Sequence, residues 1–270
     1  MFWRDLEGGQ TARLSRSSSG EQSNAGSFSP MVSGDGRRVV FESLASNLVA
    51  GDTNGSSDIF VYDQTAGTVS AVSVSRMGAT GNAASSHPSL SRNGQFAAFC
   101  SRASDLVPDD TNGTPDVFVR DLTKGETTRV SLSNSGSQTS GGCSRSALSA
   151  DGRFVAFRSA APDLVDGDSN GAADVFVRDR QTAQTTRVSV SSSGRQADGA
   201  SGGSGVAISD DGRLVAFDSG ATNLVAEDTN GASDVFVHDR QTGETKRASV
   251  NSSGGQGGGD SGLSGVAISD

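Results

Sequence analysis

The sequence predicts an all-β fold: a β-propeller of four-stranded antiparallel blades, with 58–60 residues per repeat. Three observations predict it. A short phrase recurs, as S-G-D-G at Ser33–Gly36, S-R-N-G at Ser91–Gly94, S-A-D-G at Ser149–Gly152 and S-D-D-G at Ser209–Gly212, with opening serines 58, 58 and 60 residues apart. Each copy holds four short apolar or β-branched runs separated by turn residues. No segment offers a capped stretch of helical periodicity. A four-stranded sheet of this length cannot cover both of its faces, and stacking on the next sheet solves that. A β-solenoid coil is normally shorter, and a β-sandwich would not repeat at this period.

The copy from Arg145 to Gly194 supplies the elements. Ser146–Ser149 is a first strand of small residues, suited to a crowded axis. Asp151-Gly152 is a tight hairpin turn. Arg153–Ser159 is an aromatic and β-branched second strand, and Asp174–Asp179 is a third. Thr186–Ser191 alternates as a fourth. Phe41, Phe99, Phe157 and Phe217 form one column, and Phe60, Phe118, Phe176 and Phe236 form another. Leu48, Leu106, Leu164 and Leu224 anchor the long link. These columns keep size and apolarity, as packing between sheets requires.

The repeats are phased at 33–90, 91–148, 149–208 and 209–268, after a partial repeat over 1–32 and before a truncated start at 269–270. Four complete blades plus partial terminal pieces are expected, as part of a longer propeller. Phe2–Asp5 matches a third strand and Val266–Ser269 a first, so a five-blade ring with an unusual closure is the other arrangement. The link after Gln196 and after Gln256 is two residues longer than in the other copies. Insertions at one loop position often mark the binding face of a repeat protein.

Composition excludes several functions. Lys and Arg total 22 against 31 Asp and Glu, a formal charge of −9, which argues against a nucleic-acid partner. No apolar run suits membrane insertion. The N-terminus lacks the pattern of a signal peptide, which leaves open a fragment or a removed leader. Cys100 and Cys143 occupy unmatched places in their copies; the simplest reading is two unpaired thiols, and a disulfide, which would need an exported location and close approach, is left open. His87 precedes Pro88 and reads as a loop residue, and His238 shares a column with Tyr62, Arg120 and Arg178 that reads as exposed. No nucleophile elbow is present, so no catalytic residue is assigned.

One chemical feature recurs in every copy: an acidic loop before the third strand. It supplies Asp52, Asn54 and Asp58; Asp110, Asn112 and Asp116; Asp168, Asn170 and Asp174; and Asp228, Asn230 and Asp234, each set with a glycine after the asparagine. Two readings are open. These residues build turns by bonding their own backbone, or they ligate calcium, which favours such oxygen donors. The third copy is the favoured metal site, because only there does a further acid, Asp166, stand two residues ahead. The regular arginines Arg13, Arg129, Arg187 and Arg247 are expected to make turn or ladder contacts.

The phrases S-x-D-G-R-x-V-A-F (Ser149–Phe157), D-V-F-V-R-D (Asp174–Asp179) and T-T-R-V-S-V (Thr185–Val190) resemble WD40-like propeller repeats of the TolB-type (PD40-like) group. N-L-V-x-x-D-T-N-G-x-x-D, as at Asn223–Asp234, resembles a bacterial subset of them. The resemblance covers essentially the whole chain. It implies a bacterial, periplasmic or extracellular protein, and a noncatalytic module that contacts protein or glycan. The other functional reading is the propeller portion of a larger hydrolase or lyase whose chemistry lies elsewhere.

Overall fold

A computed structural model describes residues 1–269; Asp270, part of the truncated start expected at 269–270, lies outside the described residues. The described residues are all-β. Four antiparallel sheets follow one another along the chain, each with its strands side by side in sequence order. Blade 1 contains β3 (Ser27–Val32), β4 (Arg38–Ser43), β5 (Asp58–Asp63) and β6 (Thr68–Ala71), after a two-stranded sheet of β1 (Phe2–Arg4) and β2 (Thr11–Arg13). Blade 2 contains β7 (Ser85–Leu90), β8 (Phe96–Ser101), β9 (Asp116–Asp121) and β10 (Glu126–Arg129). Blade 3 contains β11 (Cys143–Leu148), β12 (Phe154–Ser159), β13 (Asp174–Asp179) and β14 (Gln184–Arg187). Blade 4 contains β15 (Ser201–Ile208), β16 (Leu214–Ser219), β17 (Asp234–Asp239) and β18 (Thr245–Arg247).

The two phenylalanine columns meet across the second and third strands. Phe41 pairs in register with Phe60, Phe99 with Phe118, Phe157 with Phe176 and Phe217 with Phe236. Their ring centroids are 5.9, 5.9, 5.9 and 6.1 Å apart, and all eight rings are fully buried. Each buried ring contributes about 1.5–3 kcal/mol of transfer free energy. The core lies between blades: Ala98, Val117 and Val119 of blade 2 pack with Val155, Phe157 and Leu164 of blade 3.

The turn serine organises each first hairpin. Ser149 Oγ donates to Asp151 Oδ1 at 2.7 Å and accepts the Phe154 N–H at 3.0 Å. Gly152 and Gly212 turn the corner at φ 71° and 73°, and a Cβ on either would collide with the preceding blade's Phe96 or Phe154. Glycine is therefore required twice over, by backbone conformation and by close approach.

Three sequence expectations are corrected. The fourth strand ends at Arg187 instead of Ser191, because Ser189 Oγ takes over the N–H of Val175 at 3.1 Å. Cys100 and Cys143 form a disulfide, with Cα atoms 6.1 Å apart. They are 43 residues apart in sequence, but the start of β11 packs against the second strand of the preceding blade. His238 is 6% exposed, with ring Nδ1 2.9 Å from Thr245 Oγ1. Its column faces the preceding blade, where Arg178 likewise donates to Leu132 O and Ser133 O, both at 3.2 Å.

Trp3 and Leu14 of the N-terminal segment pack on Val39 and Phe41 of blade 1, but the first strand of that blade is left uncovered. Phe28, Met31 and Val32 of β3 are 52%, 45% and 51% exposed, whereas the equivalent Leu90 is buried. At the other end, Ser261 N–H donates to Ser233 O at 2.7 Å, as Ser201 N–H does to Ala173 O at 2.8 Å. The segment after Ser261 thus docks on blade 4 as a first strand would, without joining a sheet.

Candidate functional site

The acidic loops form a repeated lock. In each, the Asn Nδ2 amide donates to the last aspartate: Asn54 to Asp58 at 2.7 Å, Asn112 to Asp116 at 2.9 Å, Asn170 to Asp174 at 3.2 Å and Asn230 to Asp234 at 3.1 Å. The same amides reach the backbone of the following link, at Gly81 O, Thr139 O, Ala197 O and Gly257 O. A serine beyond the fourth strand donates to the other carboxylate oxygen: Ser73, Ser131, Ser189 and Ser249, at 2.6, 2.5, 2.5 and 2.6 Å. The last aspartate is fully buried in every copy.

Blades 2, 3 and 4 add a cation of their own. Arg129 lies 3.7 Å from Asp110 and 3.6 Å from Asp116. Arg187 lies 3.4 Å from Asp168 and 3.7 Å from Asp174. Arg247 lies 3.5 Å from Asp228 and 3.2 Å from Asp234. In blade 3, Gln196 Nε2 also donates to Asp168 at 2.6 Å and to Asp174 at 2.9 Å. A divalent cation in the third loop would have to displace both. Asp166 is exposed, and among the described residues no three acidic, histidine or cysteine side chains gather closely enough to hold a metal ion. The donor set of the third loop therefore fits a turn lock.

Blade 1 differs. Ala71 stands where the arginines stand, opposite Phe60 in the same register as Arg129 opposite Phe118. Asp52 has no arginine beside it; Thr80 Oγ1 contacts it at 3.4 Å, and the Asn54 backbone N–H also bonds to it. Burial pushes the Asp58 carboxyl up to about 6, and the charges of Asp52 and Asp105 add to the rise. Burial also raises Asp116 and Asp174, but there the neighbouring arginine opposes the rise.

The second site lies on the axis. The first strands of all four blades, together with Ser264–Ile268, line one pocket of about 390 Å³. Each first strand carries a bulge there: between Phe28 and Met31, Ser86 and Ser89, Cys143 and Arg145, and Ser201 and Val206. Bulges re-aim side chains and recur beside binding sites. Three residues before the apolar end of each first strand, the copies read Ser29, His87, Arg145, Gly205 and Gly265. All five line the pocket. Ser29 and His87 adopt φ of 50° and 54°, a conformation that non-glycine residues rarely take.

The long link expected to mark a binding face enters this pocket. In blade 4 the extra residues enlarge the bulge, and Asp218 Oδ1 secures it by accepting the N–H groups of Ser204 and Gly205, both at 2.9 Å. His87, expected in a loop, belongs to β7 and faces the axis. Its Nδ1 lies 3.0 Å from Ser86 Oγ, and its backbone N–H donates to Glu42 Oε2 at 3.2 Å. Burial lowers the His87 pKa and Arg145 lowers it further, with Glu42 opposing. Glu42 takes the backbone of His87 and not the ring, so these three groups do not form an oriented nucleophile–base relay. The missed signal was present in the sequence: this column changes chemistry beside packing columns that stay apolar.

No protein-family model and no curated protein matches the sequence. Solved structures do match. TolB from Acinetobacter baumannii aligns with a TM-score of 0.50 at 18% identity, over 91% of this chain and 47% of that one. A prolyl endopeptidase aligns with a TM-score of 0.55 at 18% identity, over 91% and 32%. The fold is a TolB-like propeller. An oligogalacturonate lyase from Vibrio parahaemolyticus also aligns, with a TM-score of 0.53 at 11% identity, over 91% and 58%. The chain therefore spans less than two thirds of each of these structures.

Proposed function

We propose that this chain is a noncatalytic binding propeller that receives a protein or glycan ligand at its axial pocket, in the envelope or outside a bacterial cell. The observation that carries this reading is the bulge column. Ser29, His87, Arg145, Gly205 and Gly265 diverge in chemistry and converge on one cavity, while the packing columns around them stay uniform. A rigid scaffold with a variable rim suits recognition. The disulfide between Cys100 and Cys143 supports an oxidising location.

A second reading has specific support. Structures sharing the fold include a prolyl endopeptidase and a lyase, of which this chain spans 32% and 58%. Under that reading the propeller shapes access to chemistry held elsewhere. The two are separated by assaying the purified chain against ester, peptide, glycoside and oligogalacturonate panels, and by screening peptide and glycan arrays with an Ala147→Trp variant that fills the axis. The binding reading expects array ligands that the filled variant loses, and no turnover. Robust turnover, or array ligands indifferent to the filled axis, would overturn it.

A further inference from the structure

The axial pocket combines apolar walls with a guanidinium that, among the described residues, has no carboxylate partner. Met31, Leu90, Leu148, Val206, Ile208 and Val266 supply apolar surface. Among the described residues the ionisable lining is Arg145 and His87, with no carboxylate, in a chain whose formal charge is −9. Two acids nearby are engaged by backbone N–H groups. Asp218 is engaged by the backbone of Ser204 and Gly205, and Glu42 by the backbone of His87.

Arg145 uses its Nε to hold Gly203 O at 3.1 Å. Among the described residues no carboxylate forms an ion pair with it. Arg158 is committed to Ser201 O and Ser144 Oγ. Two hydroxyls in the lining, Ser89 and Ser146, are buried without a hydrogen-bond partner, and Ser89 is only 5% exposed. The guanidinium of Arg145, at a cavity whose described lining holds no carboxylate, matches an anionic acceptor.

We propose that the axial pocket binds the C-terminal carboxylate of a polypeptide. The guanidinium of Arg145 is its donor, and the apolar walls receive the side chain of the terminal residue. This rests on the binding reading above and names its ligand. A volume of about 390 Å³ is at the small end of ligand pockets and accommodates a chain end. A sugar acid shares the carboxylate but surrounds it with hydroxyls, which the apolar walls leave without partners.

The test uses the peptide Gly-Ser-Gly-Ala-Leu with a free carboxylate, the same peptide as its C-terminal amide, and digalacturonate. Each is titrated into the isotopically labelled chain while the His87 ring is followed by NMR. The free-carboxylate peptide is expected to bind at least about tenfold more tightly than the amide, the effect of one charge-assisted contact. It is also expected to raise the His87 pKa, since a bound anion opposes the effect of Arg145, with Glu42 and Ser86 unchanged. Arg145→Met should remove the preference while circular dichroism stays native. Equal binding of peptide and amide, no binding of either peptide, tighter binding of digalacturonate, or an unchanged preference in Arg145→Met would each overturn the proposal. An array ligand that needs the open axis but no free carboxylate would defeat this inference and leave the binding reading standing.

Discussion

Replacing Ala71 by arginine should convert the loop of blade 1 into the form seen in the other three blades. Ala71 and Arg129 hold the same register opposite Phe60 and Phe118, so the new guanidinium reaches Asp52 and Asp58 as Arg129 reaches Asp110 and Asp116. The magnitude follows from Asp58, whose carboxyl is pushed from 3.8 to about 6 by burial. A carboxyl raised in the folded state binds more protons folded than unfolded between those values. Its stabilising contribution is therefore complete below pH 3.8 and is lost as pH rises through about 6. A shift of about two units corresponds to roughly 3 kcal/mol at most. With arginine present the ionised form is paired, and that loss shrinks. Other carboxylates titrate in both proteins and cancel in the difference. The assay is urea unfolding of wild type and Ala71→Arg at pH 4.5 and pH 7.5. The variant is expected to gain about 1–3 kcal/mol relative to wild type at pH 7.5, and little at pH 4.5. A difference between the two proteins that does not change with pH would refute the reasoning, and so would a variant that is less stable at the higher pH.

Three further outcomes are expected. Replacing Cys100 and Cys143 by serine should lower stability by about 2–4 kcal/mol, read by denaturant unfolding, because the bridge ties adjacent blades across 43 residues. Truncating Phe176 to alanine should cost about 3–5 kcal/mol, since the ring is fully buried against Phe157. A cost below 1 kcal/mol would contradict the described packing. Calcium added to the wild-type chain should leave its melting temperature unchanged, because Arg187 and Gln196 already occupy Asp168 and Asp174. A calcium-dependent rise that disappears in Asp168→Asn would show that the third loop is a metal site after all.

Much of the fold was legible because packing repeats. The phenylalanine columns identified the second and third strands, and these strands pair Phe157 with Phe176 in register. The Asp-Gly turn was legible because few sequences permit the backbone conformation of Gly152 at φ 71°. The fourth strand was placed too late, because the alternation of Val188-Ser189-Val190 imitates a strand while Ser189 serves the loop of Asp174. The acidic loops were found by sequence. Whether their oxygens face an ion or a guanidinium depends on which strand returns beside them.

The sequence by itself determined the unit: an all-β repeat, its packing columns and its acidic loops. These follow from local backbone preference and from apolar periodicity, which each copy states independently. Only the tertiary structure decided the disulfide, the burial of His238 and the axial pocket. Each joins residues from different copies. Cys100 meets Cys143, His238 contacts Thr245, whose hydroxyl donates to Val190 O of the preceding copy, and Ser29, His87 and Arg145 share one cavity. Sequence spacing within a repeat carries no information about which face of one sheet meets the next, and stacking the blades supplies it.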